Sequence, residues 1–301
     1  MISTLRGIAA SVLLGLNSLI WCPVLYLLGL FRFIFPANSS PNILMGKSMD
    51  AIVDKWVAGN RLLIKHLRIT DMSIPPEIKE LKRNAWHIII SNHQSWADII
   101  VLQNSFLRYA PPLKFFTKKE LIWVPLIGLA LWVLGFPYVR RLNADRLAAN
   151  PHLRELDKNA TLKACKGFLE RPTSVLNFVE GTRFTPSKHE TEKPPYVHLL
   201  KPKVGGLLIV SEALGHRIDS IIEVTIIYEP HAPTFWDFLC GRCNAVSLSV
   251  EFRNLPNLNR NDMNAWINKA WKEKDTYIET NRQSHDEESL SNREHPCSEH
   301  A

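Results

Sequence analysis

His93 precedes Asp98 by five residues in the stretch Asn92-His93-Gln94-Ser95-Trp96-Ala97-Asp98. A neutral imidazole whose tautomer is fixed by a carboxylate is half of a general-base site. Spacing of five does not stack two side chains on one helix face, where neighbours are three or four apart. The two can meet only if His93 precedes a helix and Asp98 stands in its first turn. Ser95 and Asp98, three apart, also resemble a helix-start box with Asp in place of the usual Glu or Gln. Asp98 could therefore cap the helix instead of orienting His93, and the sequence leaves both open. With 11 histidines in the chain, such a pair often arises by chance, so a capping or core histidine is the plain alternative.

A second constellation, Glu180-Gly181-Thr182-Arg183, follows the apolar run 174–179. Ligands of α/β sheets bind at the C-terminal ends of strands, and the forked donors of Arg match phosphate oxygens. The alternative is a surface turn with an Arg–Glu pair. Arg141 ends another apolar run, and Lys203-Val204-Gly205-Gly206 leads into a predicted helix whose first N–H groups favour anions. No Walker loop, GxGxxG, GxSxG or HExxH occurs. A base with several cations and no evident Ser or Cys nucleophile suggests direct transfer to an activated hydroxyl, without a covalent enzyme intermediate. The five cysteines are scattered. Cys240-Gly241-Arg242-Cys243 lacks a second pair or zinc-spaced His, so these are read as incidental thiols and no metal is expected.

The elements that must position these groups follow from periodicity. Residues 86–91 form a strand that delivers His93, and an apolar helix opens behind Asp98. Residues 47–68 carry apolar positions at helical spacing, and residues 69–74 form a short strand closed by Pro75-Pro76. The uncharged stretch 121–139 is broken by Pro125, Gly128, Gly135 and Pro137. It reads as buried helix plus strand, with one face free for a lipid interface, in preference to a second membrane span. Residues 142–171 are helix-prone, 174–179 a strand and 188–195 a charged loop. Helices are predicted over 205–214 and 262–279, with strands at 221–228 and 246–252. This interleaving indicates one α/β domain.

Hydrophobic residues make up 46% of the 301, enough for a core and against a disordered chain. The formal net charge is +7. The acidic end, residues 282–301, has two Arg against five Asp/Glu, so the surplus is concentrated in the rest and favours an anionic partner. Between Arg6 and Arg32 lie 25 uncharged residues, more than the ~20 needed to cross a bilayer. Pro23 and Asn17 leave room for a re-entrant hairpin instead of one straight span. The resulting division is a membrane anchor over 1–40, a catalytic domain over 41–281 and a disordered polar tail over 282–301.

Taken together and in order, these residues resemble the glycerophospholipid acyltransferase family, in its 1-acylglycerol-3-phosphate acyltransferase branch. Asn92 to Asp98 looks like the family's first block. Lys118 to Leu121, Pro125 to Gly128 and Gly135 to Arg141 look like its second. Phe178 to Phe184 looks like the third, and Lys203 to Gly206 with the strand at 221–228 the fourth. Further similarity is to lysocardiolipin acyltransferases and to a bacterial inner-membrane group. The chain departs from the pattern at Val179, where proline is usual, and at Val224-Thr225, where Pro-Val is usual.

The resemblance implies a single mixed-sheet α/β domain with helices around it, behind a membrane helix or hairpin. It implies that His93, held by Asp98, deprotonates a lysophospholipid hydroxyl that attacks an acyl thioester. Arg183 and Arg141 would hold the acceptor phosphate, with Lys203 as a further phosphate ligand. Glu180 and Gly181 would position the glycerol, Thr182 would be a further substrate-binding residue, and Asn92 and Ser95 would support the turn. The co-substrate would be acyl-CoA or acyl-carrier protein, with no cofactor and no nucleic acid, and the oligomeric state is left open. The implied location is a bacterial inner membrane with the catalytic domain on its cytoplasmic side. Transacylation or thioester hydrolysis on the same fold, acylation of another lysophospholipid, and non-enzymatic lipid or nucleic-acid binding are the alternatives.

Overall fold

The computed structural model describes residues 1–37, 39–139, 159 and 161–294. Its centre is a six-stranded mixed sheet in the order β1-β8-β7-β2-β6-β3. The strands are β1 (Asp71–Ser73), β2 (Trp86–Ser91), β3 (Leu113–Phe115), β6 (Ser174–Phe178), β7 (Ile218–Glu229) and β8 (Ala245–Arg253). β7, β2, β6 and β3 run parallel, β8 is antiparallel to its neighbour β7, and β1 runs parallel to β8. β4 (Thr117–Lys118) and β5 (Tyr138–Val139) form a separate parallel pair.

β2 lies between β7 and β6 and is covered on both faces, which explains its unbroken apolar run. Ile88 and Ile90 enter one core cluster and Ile89 the other, all fully buried. Each such side chain contributes about 1.5–3 kcal/mol of transfer free energy. The first cluster takes in α2 (Ser40–His66) and α3 (Ala97–Phe106). The second takes in α6 (Gly205–Leu214) and α8 (Arg260–Glu294). From α8, fully buried Lys274 donates to the Val224 carbonyl at 2.6 Å and lies 3.4 Å from Glu223, pinning β7 from behind.

α1 (Ile2–Ile34) runs unbroken through Pro23, so the apolar stretch is not itself a hairpin. It is the one helix among the described residues long and apolar enough to cross a membrane. Its partner is α2, which starts at Ser40, seven residues before the predicted start, behind a Ser39 cap and Pro41. Asn17, which suggested a break, instead donates to Trp56 O at 2.9 Å and Asn60 Oδ1 at 2.8 Å. Arg32 reaches Asn42 at 2.9 Å, making the two helices antiparallel.

Both ends of α1 are fastened to the domain. Near the start, Arg6 donates to Arg68 O at 3.2 Å, and Gly7 lies against Cys240 and Trp236 beside α7 (Phe235–Leu239). Near the end, Tyr26 donates to Leu126 O, Arg32 pairs with Glu170, and Gly29 lies so close to Val133 that an added Cβ would fall 2.4 Å from Cγ1. Val133 ends α4 (Ile127–Val133), which with a 3-10 turn over Lys119–Trp123 and β5 makes up the stretch read as buried helix plus strand.

Two local readings change. The charged loop read at 188–195 begins inside a short helix, α5 (Pro186–Glu192), which Thr185 caps. The last helix runs to Glu294, beyond the end predicted near 279 and into the stretch expected to be disordered. Of the helix-prone 142–171, the part before 159 lies outside the described residues.

Candidate active site

Parallel pairing puts the C-terminal ends of β2 and β6 side by side, with Ser91 opposite Phe178. The two loops that leave those ends carry both sequence constellations. The Phe178 ring stacks on His93 at 4.0 Å and 15°, and the Phe184 amide donates to His93 O at 2.7 Å. The segment Glu180 to Arg183 therefore closes directly over the histidine turn.

His93 Nδ1 lies 2.7 Å from Asp98 Oδ2. A carboxylate oxygen accepts, so Nδ1 carries the hydrogen and Nε2 is the free basic nitrogen. The same Oδ2 accepts from the amides of Gln94 at 2.7 Å and Ser95 at 3.0 Å. Asp98 thus performs both roles between which the sequence could not choose. It sits in the first turn of α3, ties back to the residues before the helix, and orients His93. Its side chain is wholly buried, whereas that of His93 is 12% exposed.

The supporting residues are held by the segment from β7 onwards. Asn92 donates to Ile226 O and accepts from Ile226 N, both at 2.9 Å. Ser95 donates to Pro233 O at 2.7 Å and accepts from Ala97 N at 3.1 Å. One participant was missed in the sequence: the Tyr228 hydroxyl donates to Asp98 Oδ1 at 2.6 Å. Burial and the Asp98 charge push its pKa well above the ordinary phenol range, so it keeps its proton and stays a donor. Its sequence signal was a polar tip at the end of the predicted strand 221–228.

Arg183 sits over the ring of Trp96, 4.9 Å from its centroid, a cation–π contact that leaves the forked donors for an anion. Trp96 is 42% exposed. Gly181 has φ +71°, a conformation that favours glycine, and a Cβ there would lie 3.5 Å from Lys203 Cδ and 3.8 Å from its Nζ. Lys203 therefore lies over the Gly181 turn, and its amide donates to Val179 O at 2.7 Å. Lys188, also missed, donates to Thr182 Oγ1 at 2.7 Å and Arg183 O at 2.9 Å. The Thr-Pro pair at 185–186 was the available signal for the helix start that brings it there.

Glu180 departs from its expected role beside a glycerol. Its residue is 1% exposed, and among the described residues neither carboxyl oxygen has a partner in full hydrogen-bond geometry. Burial pushes its acid up to about 8, against the pull of Lys274 and of the Leu200 and His93 amides. It underlies the turn from inside. Arg141, with the neighbouring Arg140, lies outside the described residues.

Comparison with known proteins agrees with this architecture. A family model described as Acyltransferase matches residues 76–226, which span both loops and most of β7. The chain is 26% identical over 209 residues to a probable 1-acyl-sn-glycerol-3-phosphate acyltransferase 5 of Arabidopsis thaliana, covering 64% of this chain and 52% of the relative. It is 26% identical over 219 residues to 1-acyl-sn-glycerol-3-phosphate acyltransferase delta of Homo sapiens, covering 67% and 54%. Lysocardiolipin acyltransferase 1 of Gallus gallus is 26% identical over 206 residues, covering 62% and 52%. The chain thus spans about half the length of these curated relatives. The fold is similar to that of the 1-acyl-sn-glycerophosphate acyltransferase PlsC from Thermotoga maritima, with TM-score 0.50, 14% identity, and coverage of 91% of this chain and 98% of that one. The histidine turn, the loop closing over it and most of the strand behind both fall inside the matched segment, and the chain belongs to the acyltransferase family.

Proposed function

We propose that this protein moves an acyl chain from an acyl thioester to the free hydroxyl of a lysophospholipid, with 1-acylglycerol-3-phosphate as acceptor and phosphatidic acid as product. The observation that carries this reading is the His93–Asp98 pair, whose free Nε2 stands in the same loop cluster as Arg183, with Lys203 over the adjoining turn. His93 Nε2 takes the hydroxyl proton as the oxygen attacks the thioester carbonyl carbon. The C–S bond then breaks, and the imidazolium returns the proton to the leaving thiolate. The Asp98 carboxylate stabilises the transient imidazolium, as an anion at hydrogen-bond distance must.

Arg183 and Lys203 hold the acceptor phosphate, joined by Arg141 on the strength of the family resemblance. Asn92 and Ser95 keep the turn rigid, while Gly181 and Thr182 shape the cradle. The donor is acyl-CoA or acyl-carrier protein. A lipid acceptor accounts for the apolar outer face of α1 beside a polar catalytic domain. The catalytic domain is assigned to the cytoplasmic side of a bacterial inner membrane, where acyl thioesters are made.

The test is a matrix of labelled acyl-CoA and acyl-carrier protein against several lysophospholipids, using membranes containing the full chain. Transfer to lysophosphatidic acid is expected, and His93→Ala should lower it by about 10²–10⁴-fold, the usual contribution of a positioned general base. Full activity in that variant would sink the mechanism. Thiol release without acceptor would reassign the protein as a hydrolase, and transfer without thioester as a transacylase.

A further inference from the structure

Tyr228 is near the C-terminal end of β7 and is 1% exposed. Its hydroxyl lies 2.6 Å from Asp98 Oδ1, the carboxylate oxygen that His93 does not use. The other oxygen, Oδ2, already takes three donors, from His93 Nδ1 and the amides of Gln94 and Ser95. Since Asp98 is fully buried, no bulk water can substitute at Oδ1. The strand that carries Tyr228 also grips the histidine turn through Ile226 and Asn92. Lys274 fixes that strand from its other side at Val224. Tyr228 is therefore a rigidly mounted donor aimed at the group that orients the base.

We propose that Tyr228 is a positioning residue for acyl transfer: acting through Asp98, it fixes the carboxylate's rotamer and draws off part of its negative charge, so that His93 stays an unprotonated base. This rests on the reading of His93 as the general base. A hydrogen bond to the charged form of an acid stabilises that form. A carboxylate so stabilised holds an adjacent imidazolium less tightly, and the imidazole gives up its proton more readily. Without the hydroxyl, Oδ1 becomes a buried acceptor with no partner. Its undivided charge then favours imidazolium, which cannot accept the substrate proton.

The other groups facing this relay act differently. Glu180, from the loop after β6, bears on Asp98 electrostatically, and Lys274 of α8 bears on Glu180. Cys243, from the turn before β8, bears on Tyr228. Neither Glu180 nor Cys243 donates a hydrogen bond to Asp98. Burial holds Glu180 protonated up to about pH 8, so its charge enters above the range in which a histidine normally titrates.

The test is Tyr228→Phe, which keeps the ring in the core, made in the full chain in detergent. His93 is followed by NMR titration of histidine-labelled protein without substrate, its signal assigned against His93→Gln. The midpoint should move upward by about half to one pH unit, as loss of one hydrogen bond to the neighbouring charge implies. The kcat at pH 7 should fall about threefold to tenfold with KM for the acceptor within twofold. In an Asp98→Asn background the same substitution should change neither quantity further. An unmoved midpoint, an unmoved kcat, or an equal loss in the Asp98→Asn background would overturn the proposal. A lower Tm alone would do so too, since packing by itself predicts that. A shifted midpoint in a protein that transfers no acyl group would keep the relay and refute the functional reading instead.

Discussion

Glu180 is the residue most altered by its surroundings. Its acid is held up to about 8 by burial, whereas an unfolded chain releases that proton near pH 4–5. Between these two values the folded state retains a proton that the unfolded state has lost, so stability falls as pH rises through the window. Glu180→Gln carries no proton to lose. Its Tm should decline less than that of the wild type between about pH 5 and 8, the two curves converging at the acid end. Parallel curves from scanning calorimetry across that range would refute this. If Glu180 instead touched the acceptor's glycerol, the substitution would act mainly on KM for the acceptor, with the pH dependence of Tm unchanged.

At the scale of elements, the cradle is a turn set by backbone conformation and braced by side chains. Gly181 sits at φ +71°, while the space beside it is ordinary, with the nearest atom to a Cβ at 3.5 Å. The cost of Gly181→Ala is therefore conformational, about 1–2 kcal/mol for a left-handed residue, and the turn should relax instead of breaking. Arg183 and Thr182 follow Gly181 directly, so relaxation moves both residues proposed to meet the acceptor. Steady-state kinetics should show KM for a phosphate-bearing acceptor raised several-fold, with KM for the thioester little changed. Equal effects on both substrates would show that the turn does not act as an acceptor cradle. The close approach of Gly29 to Val133 is the opposite case, because there space itself is lacking.

For the whole molecule, the fastening of α1 at both ends decides how it can meet a bilayer. Gly7 and Gly29 each touch the catalytic domain, and 22 residues of helix separate their contacts by about 33 Å. A helix held against one side of a domain over that length cannot project from it as a free span. Its exposed Leu5, Leu16 and Leu30 are expected at similar depth, in the plane of one leaflet. The same apolar face continues onto α4 through the stacked Phe33 and Trp132, 5.9 Å apart, and to Trp123, 86% exposed. Aromatic side chains of this kind favour the membrane interface. Probes at positions 5, 16 and 30 should be quenched equally by a nitroxide lipid of fixed depth. Position 16 deep and the other two shallow would restore a transmembrane span.

The sequence alone named the candidate residues of the His93 turn and the Glu180 to Arg183 turn, because their types and order are local facts. It also determined β2, α6 and the core of β7, whose apolar runs match strand or helix periods without help from neighbours. Thr185-Pro186, in contrast, is a legible helix start masked by the charges after it, which suggest a loop. What only the tertiary structure decided were relations between distant segments. Tyr228 meets Asp98 across 130 residues, and Glu180, expected beside the glycerol, is a buried acid on which Lys274 of α8 and the Leu200 amide bear. Both ends of α1 find docking sites on elements far along the chain. Hydrogen-bond partners and desolvation depend on three-dimensional neighbours, which no spacing along one chain specifies.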